Sequence, residues 1–232
     1  MRKLIGLAAA LALTAFLPAY ADDAKPFIDN HVVDLTAILP PPPANDSAET
    51  NKEVGEVLMI QVTRTPAMVE RAKADDEEEV WRFADVLGSK FDKAALPKTA
   101  AFFDRIAATE GAVVDPAKKV FKRPRPYLLN DLVKPVIDPS KSGSWPSGHA
   151  TVGTMMGIVL SNMVPEKRAA IMARAREFGE NRVVAGMHYP SDVDEGRVAG
   201  SVIAQTIMQL DEFKAEFEAS KTELRAALGL SS

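Results

Sequence analysis

One stretch of the sequence constrains the fold more than any other. From Gly148 onward, apolar side chains recur at intervals of three and four residues for about four turns, the spacing that places them on one face of an α-helix. Strand-like alternation of apolar and polar residues is scarce in the rest of the chain. The pattern therefore predicts an all-α protein. The helix face is formed by Val152, Met155, Met156, Val159, Leu160 and Met163.

Further helices are predicted after the first one. Gly153 and Gly157 lie on another face of the same helix and would let a neighbouring helix approach closely. Pro165 begins the next helix, which Gly179 is expected to end. A last long helix is expected to start near Ser191 as its N-cap, with an inward face formed by Ala199, Val202, Ile203, Ile207 and Leu210.

Apolar residues with helical spacing also occur upstream of Gly148. The acidic run 75–79 is interpreted as a solvated helix N-terminus, where negative charge suits the helix dipole. Residues 98 to about 110 read as helix, and Asp115-Pro116 is expected to cap a separate short helix that carries Lys118. The apolar residues that follow the acidic run have helical spacing and predict a helix face turned to the core. This face is formed by Val80, Phe83, Ala84, Leu87 and Phe91.

The N-terminal residues predict export. A basic start is followed by an apolar stretch from Leu4 to Leu17 and by Ala19-Tyr20-Ala21, a small-residue cleavage site, which is the pattern of a signal peptide over residues 1–21. An uncleaved anchor is the alternative. Cleavage after Ala21 predicts a periplasmic or secreted protein with no membrane association.

Two regions are expected after the cleavage site. Residues 22–48 read as an irregular arm with four consecutive prolines at 40–43, which cannot be helical and are expected to be extended. The sequence does not decide whether this arm wraps the protein or links it. Residues 49–232 are expected to form one helical domain.

Composition limits the partners. The chain has 28 basic and 32 acidic residues, so nothing in its overall charge suggests nucleic acid. It contains no cysteine, which excludes disulfides and thiolate chemistry. We expect neither a cofactor nor a metal, although a zinc site made of histidines and carboxylates is an open alternative. A homodimer is possible, and no residue establishes it.

The first candidate cluster stands at the start of the strongest helix. The backbone N–H groups of a helix start are unpaired and lie at the positive end of its dipole, so they bind anions. Gly148 leaves room for a ligand to touch the backbone, Ser147 adds a hydroxyl donor, and His149 lies on the first turn. The alternative is an ordinary N-cap followed by a surface histidine.

The second cluster joins Arg182, His188 and Asp192. Asp192 follows His188 by four residues, and a carboxylate that accepts from one imidazole nitrogen leaves the other free as a nucleophile. The alternative is a structural histidine that caps the last helix.

The third cluster contains Lys118 and Arg125. Arginine suits bidentate contact with phosphate oxygens, and lysine acts as a point charge. The neighbouring Lys119, Lys122 and Arg123 are interpreted as solvated surface.

The three clusters together form a specific pattern: Lys, six residues, Arg-Pro; then Pro-Ser-Gly-His; then Arg, five residues, His, three residues, Asp. It resembles the signature of the type 2 phosphatidic acid phosphatase and vanadium haloperoxidase superfamily. Within that superfamily the chain is similar to bacterial class A non-specific acid phosphatases, over segments 117–126, 143–149 and 186–194 and in the proline-rich stretch 39–44. The resemblance covers essentially the whole exported chain and implies a single-domain helical bundle of that type.

The resemblance also implies roles. His188 would attack phosphorus and form a phosphohistidine, with Asp192 holding its ring. His149 would protonate the leaving alcohol and later activate water, so turnover should be favoured at acidic pH. The substrates would be phosphate monoesters of broad structure, with no metal required. The groups that hold the phosphate oxygens would be Lys118, Arg125, Ser147, the Gly148 N–H and Arg182.

The sequence departs from the family in two places. Asn181 precedes Arg182 where the family commonly has serine, and Tyr189-Pro190 follows the predicted nucleophile and is expected to reshape the pocket rim. Two alternative functions use the same anion-binding residues: a vanadate-dependent haloperoxidase and a non-catalytic phosphate-binding protein. The His188–Asp192 pair argues against the second, since binding alone does not need it.

Overall fold

A computed structural model describes residues 24–231, and these residues contain helices and no strand. The all-α prediction is therefore confirmed. The predicted signal peptide lies outside the described residues. The helices are α1 (Leu35–Ile38), α2 (Ala48–Thr63), α3 (Pro66–Ala74), α4 (Ala84–Leu87), α5 (Pro97–Phe121), α6 (Pro126–Leu129), α7 (Gly148–Met163), α8 (Arg168–Val184), α9 (Pro190–Ile207) and α10 (Asp211–Leu228).

Helix α7 lies at the centre of the fold. All but three of its sixteen residues are buried, and it packs against α5, α8 and α9. A helix that is apolar on every side is normally surrounded by other elements. The composition of α7 therefore suits a central position. Its N-terminus is thereby held inside the protein, next to the ends of its neighbours.

The glycines of α7 allow close helix packing, as predicted. A Cβ on Gly157 would lie 2.6 Å from Cβ of Ala175, and one on Gly153 would lie 2.9 Å from Cδ1 of Phe178. The prediction that Gly179 ends the next helix is wrong, because α8 continues to Val184. A Cβ on Gly179 would lie 3.0 Å from Cβ of Ala150, so this glycine also serves the α7–α8 contact.

Helix α5 is one continuous helix of 25 residues, and Asp115-Pro116 does not start a new one. The proline removes a single backbone donor. Val113, Val114 and Ala117 around it are buried, so packing of this face keeps the chain helical through the proline. Lys118 therefore projects from the last turn of a long helix.

The segment around residues 75–91 differs from the prediction in part. Its apolar residues Val80, Phe83, Leu87 and Phe91 are buried, as expected, but they belong to a short 3₁₀ helix at Val80–Phe83, to α4 and to the loop that follows. The acidic run is not a solvated helix start. Asp75 is buried because side chains of α8 donate hydrogen bonds to it.

The C-terminal part forms two helices where one was expected. Helix α9 begins at Pro190, slightly before the predicted Ser191 cap, because the Asp192 carboxylate accepts from the Tyr189 N–H at 2.9 Å. After Ile207 the chain turns, and α10 packs against α5. Phe213 of α10 contacts the ring of Phe102, with centroids 5.0 Å apart.

The N-terminal arm wraps the helical core. Phe27, Ile28, Leu35 and Leu39 are buried in the main hydrophobic cluster, and the Phe27 ring lies 5.2 Å from that of Phe213. His31 is exposed. Within residues 24–231, no helix combines the length and the apolarity that a membrane span requires.

Candidate active site

A cavity of about 220 Å³ brings together residues that are far apart in the sequence. Lys118 reaches it from the end of α5, and Gly148 and His149 from the start of α7. Arg182 lies near the end of α8, and His188 lies in the following loop. The buried position of α7 explains this convergence, since helices that pack around its N-terminus place their own ends there.

Charged side chains of this cavity closely approach the start of α7. A Cβ on Gly148 would lie 3.1 Å from Nζ of Lys118 and 3.3 Å from Oε1 of Glu78. A side chain here would therefore collide with the charged groups. Glycine leaves the backbone accessible at a helix N-terminus, where N–H groups and the dipole favour an anion.

His188 is held as a neutral ring. Its Nδ1 lies 3.1 Å from Oδ2 of Asp192, and its Nε2 lies 3.0 Å from Nη1 of Arg125. Because the guanidinium can only donate, Nε2 is the unprotonated nitrogen and Nδ1 carries the proton. Burial, followed by the positive charge of Arg125, lowers the pKa of His188 well below its ordinary value. Nε2 thus carries a lone pair, which accepts the hydrogen bond from Arg125.

Asp192 is surrounded by donors. The Ser144 hydroxyl and the Tyr189 N–H donate to Oδ2, and Nη1 of Arg123 donates to Oδ1 at 2.7 Å. Burial raises the pKa of Asp192, and Arg123 and the Ser144 hydrogen bond oppose that shift. Arg123 also pairs with Glu53 at 2.7 Å and is buried. Its interpretation as solvated surface is therefore wrong.

His149 has different partners. Its Nδ1 lies 2.7 Å from Oε1 of Glu78, and its Nε2 lies 2.9 Å from the carbonyl oxygen of Asp76. Both partners are acceptors, so a ring with a proton on each nitrogen satisfies both contacts. The ring stacks on Phe178, with centroids 5.7 Å apart. The two histidines of the cavity thus differ in the partners that their ring nitrogens face.

The acidic segment is part of the site. The Asp76 carboxylate accepts from Nη1 of Arg182 at 2.8 Å, and Asp75 accepts from Nδ2 of Asn181 at 2.7 Å. Burial raises the pKa of Glu78, but the charge of His149 and its hydrogen bond outweigh this and lower the pKa to about 2. Glu78 therefore stays ionised at every pH well above about 2.

Glu110 is a buried carboxyl aimed at the start of α7. Its Oε1 would lie 2.6 Å from a Cβ on Gly148, and this oxygen has no hydrogen-bond partner among residues 24–231. Burial, and then the charge of Glu78, raises the pKa of Glu110 well above its ordinary value. A protonated, neutral carboxyl can donate a hydrogen bond to an anion.

Most predicted site residues lie around the cavity. Asp192 stands behind His188 and does not reach the surface of the cavity. Ser147 does not line the cavity either, because its oxygen caps α7 by accepting from the Ala150 N–H at 3.3 Å. Those that line it are Lys118, Arg125, Gly148, His149, Arg182 and His188.

The two departures from the family pattern have structural roles. Asn181 uses its amide to anchor Asp75, as described above, and so helps to position the acidic segment. Tyr189 is fully buried, with the Arg123 guanidinium 4.0 Å from its ring centroid. The expectation that Tyr189 reshapes the pocket rim is wrong, because its side chain packs beneath Arg123.

Several site residues were missed by sequence reasoning. Glu110 had a signal, because it lies among the buried positions of α5, where a carboxylate is unusual. Asp76 and Glu78 had none, since an acidic run is ordinarily solvated. Across residues 24–231, no three histidine, aspartate or glutamate side chains are grouped closely enough to hold a metal ion.

Comparisons with known proteins identify the family of this chain. The PAP2 superfamily matches residues 105–215, a range that contains every predicted site residue. A non-specific acid phosphatase from Salmonella typhimurium is 30% identical over 195 residues, which cover 80% of this chain and 78% of the relative. A non-specific acid phosphatase from Providencia stuartii is 28% identical over 213 residues, covering 84% and 82% of the two chains.

A solved structure shares the fold. The first bacterial vanadium-dependent iodoperoxidase aligns with a TM-score of 0.55 and 18% identity, covering 76% of this chain and 53% of the iodoperoxidase. At that identity the similarity shows the fold alone. The chain spans about half the length of that enzyme.

Proposed function

This chain belongs to the non-specific acid phosphatases of the PAP2 superfamily, and from this membership we propose that it hydrolyses small phosphate monoesters of broad structure through a phosphohistidine intermediate. One observation carries the proposal most directly. A neutral His188 presents Nε2 to a cavity that is also lined by Lys118, Arg125 and Arg182. A binding protein would need the cations but not the oriented nucleophile.

In the first step, Nε2 of His188 attacks phosphorus. The N–P bond forms as the bond from phosphorus to the leaving oxygen breaks, and the electron pair stays on that oxygen. His149 gives it a proton and becomes neutral, while Asp192 stabilises the positive charge on the His188 ring. Cations and N–H donors placed around the transferred group stabilise its spread negative charge. These are Lys118, Arg125, Arg182 and the Gly148 N–H.

In the second step, water replaces the histidine. Neutral His149 takes a proton from the water as its oxygen attacks phosphorus, and the N–P bond breaks. Its electron pair returns to Nε2 of His188, so the ring is neutral again and phosphate leaves. At the end of the cycle His188 is neutral and His149 is protonated, as they were at the start.

Two carboxyl groups assist these steps. Glu78 is a positioning residue that holds the charged His149 ring through Nδ1. Glu110, in its protonated form, donates a hydrogen bond toward the anion at the start of α7. Ser147 keeps its predicted place among the phosphate-binding groups as a proposal only, because its side chain caps the helix.

Export is also part of the proposal. The pattern over residues 1–21 supports a cleavable signal peptide and a periplasmic or secreted enzyme. Mass spectrometry of the protein recovered from the periplasm should show an N-terminus at Asp22.

The direct test is phosphate release from p-nitrophenyl phosphate between pH 4 and 9, with and without EDTA. We expect turnover that is highest at acidic pH, because His149 must be protonated to act as the acid, and EDTA should have no effect. Absence of hydrolysis, or a maximum at alkaline pH, would contradict the proposal.

A further inference from the structure

A second, larger hollow adjoins the phosphate cavity. It has a volume of about 680 Å³, and the residues that line it include Lys119, Lys122 and Lys141. We call this hollow the lysine groove. Lys118 and Arg125 line both the groove and the phosphate cavity, so a molecule with its phosphate in the cavity can extend into the groove.

The lysines of the groove are not neutralised by the protein. Lys119, Lys122 and Lys141 are exposed, and none of them has an acidic partner within 4.0 Å in the described part of the chain. Among residues 24–231, Asp115 is the only acidic residue that lines the groove, and its Oδ1 lies 3.9 Å from Nζ of Lys118. The groove therefore has a clear excess of positive charge in a protein whose net charge is −4.

The wall between the two hollows is well defined. Nε of Arg125 donates to the Ser142 carbonyl at 3.0 Å, and Nη2 donates to the Ser142 hydroxyl at 3.2 Å. Ser142 lines both hollows. Leu128 and Pro124 supply apolar surface in the groove, which suits the carbon body of a substrate.

Acidic residues also line the phosphate cavity, namely Asp76, Glu78 and Asp138. Asp76 and Glu78 pair with Arg182 and His149, whereas the groove lysines, which have no acidic partner in the described part of the chain, would attract an anionic leaving group. This asymmetry gives a doubly charged substrate one favourable orientation.

We propose that the lysine groove binds a second phosphate group carried by the leaving part of the substrate, which makes small bisphosphorylated molecules preferred substrates. The proposal rests on the proposed phosphatase function for its kinetic test. The first phosphate occupies the cavity at His188, the carbon body passes Arg125, and the second phosphate meets the three lysines.

The test compares fructose 1,6-bisphosphate with fructose 6-phosphate by kcat/KM for release of the first phosphate. The groove variant combines Lys119→Gln, Lys122→Gln and Lys141→Gln. A matched control combines Lys90→Gln, Lys93→Gln and Lys98→Gln, which are exposed as well and remove the same charge. Lys98 lies twenty residues from Lys118 on α5, about 30 Å along the helix.

We expect the wild-type enzyme to prefer the bisphosphate by about tenfold at low salt, and less as salt screens the lysines. The groove variant should lose this preference, while the control variant should keep it. Equal kcat/KM values for the two substrates in the wild type, or a preference that survives in the groove variant, would overturn the proposal.

A binding measurement separates this inference from the proposed function. Titration calorimetry with His188→Ala protein should show tighter binding of the bisphosphate than of the monophosphate, and the groove substitutions should remove the difference. If p-nitrophenyl phosphate is not hydrolysed at all, the phosphatase proposal fails, but this titration still decides whether the groove binds a second phosphate.

Discussion

Residues of the same type take different roles in this protein because their partners differ. A guanidinium donates toward Nε2 of His188, whereas a carboxylate and a carbonyl accept from His149. The first arrangement requires a lone pair on the ring, and the second is satisfied by a proton on each nitrogen. The proposed nucleophile and the proposed acid are therefore distinguished by Arg125 and Glu78 and not by the histidines themselves.

Substitution of each histidine tests this distinction. His188→Ala should lower kcat by about 10³-fold or more, because no other group replaces the nucleophile. His149→Ala should lower kcat by about 10²-fold for alkyl phosphates and less for p-nitrophenyl phosphate, whose leaving group needs no proton. Quenched-flow trapping should detect a phosphoenzyme with His149→Ala and none with His188→Ala, and full activity of His188→Ala would rule out the nucleophile.

Glu78→Gln tests the positioning of His149. An amide stabilises the charged ring less than a carboxylate does, so kcat for an alkyl phosphate should fall by about tenfold with little change in KM. The alkaline limb of the pH–rate profile should also move to lower pH. Glu77→Gln is the matched control, because Glu77 is its exposed neighbour, and an equal effect of both substitutions would argue against a specific role.

At the scale of helices, the site depends on how closely α7 and α8 pack. The start of α7 supplies Gly148 and His149, and the last turn of α8 supplies Arg182. The glycines between these helices set their separation. A change in that contact would alter both stability and the distance between site residues.

Gly157→Ala tests this contact. Its Cβ would lie 2.6 Å from Cβ of Ala175, so the helices must separate, and the free energy of unfolding should fall by about 1–3 kcal/mol. Gly55→Ala is the control, because Gly55 lies inside α2 with nothing within 4 Å of the added Cβ. There, stability should rise by up to about 1 kcal/mol. Urea denaturation measures both, and equal effects would show that the glycine contact is unimportant.

At the scale of the whole molecule, the site contains buried ionisable groups, and these make stability depend on pH. Glu110 shows the direction in which such a group changes the free energy of unfolding as pH changes. Burial raises its pKa well above the ordinary value, so the folded protein keeps a proton that the unfolded chain loses above about pH 4.5. Stability is then lost progressively as pH rises from there toward the folded-state pKa.

Glu110→Gln should remove this pH dependence. The variant should resemble the wild type in thermal stability near pH 4 and be increasingly more stable toward pH 8, because the amide has no proton to lose. Glu218→Gln, at an exposed position on α10, should show no such trend. Scanning calorimetry between pH 4 and 8 measures the difference, and a constant difference at every pH would contradict the assigned protonation.

The sequence by itself determined the local features of this protein. The period of apolar residues predicted the central helix and its glycine contact, because a helix period can be read without knowing what lies opposite. The spacing of Lys118, Arg125, His149, Arg182 and His188 carried the resemblance to a known family, and that resemblance implied their roles. Only the tertiary structure decided what faces those residues. The carboxyl groups of Asp76, Glu78 and Glu110 became part of the site, Arg123 became buried, and the proline in α5 was tolerated. Each outcome depends on a partner distant in sequence, since burial and charge pairing are set by the side chains that packing brings together.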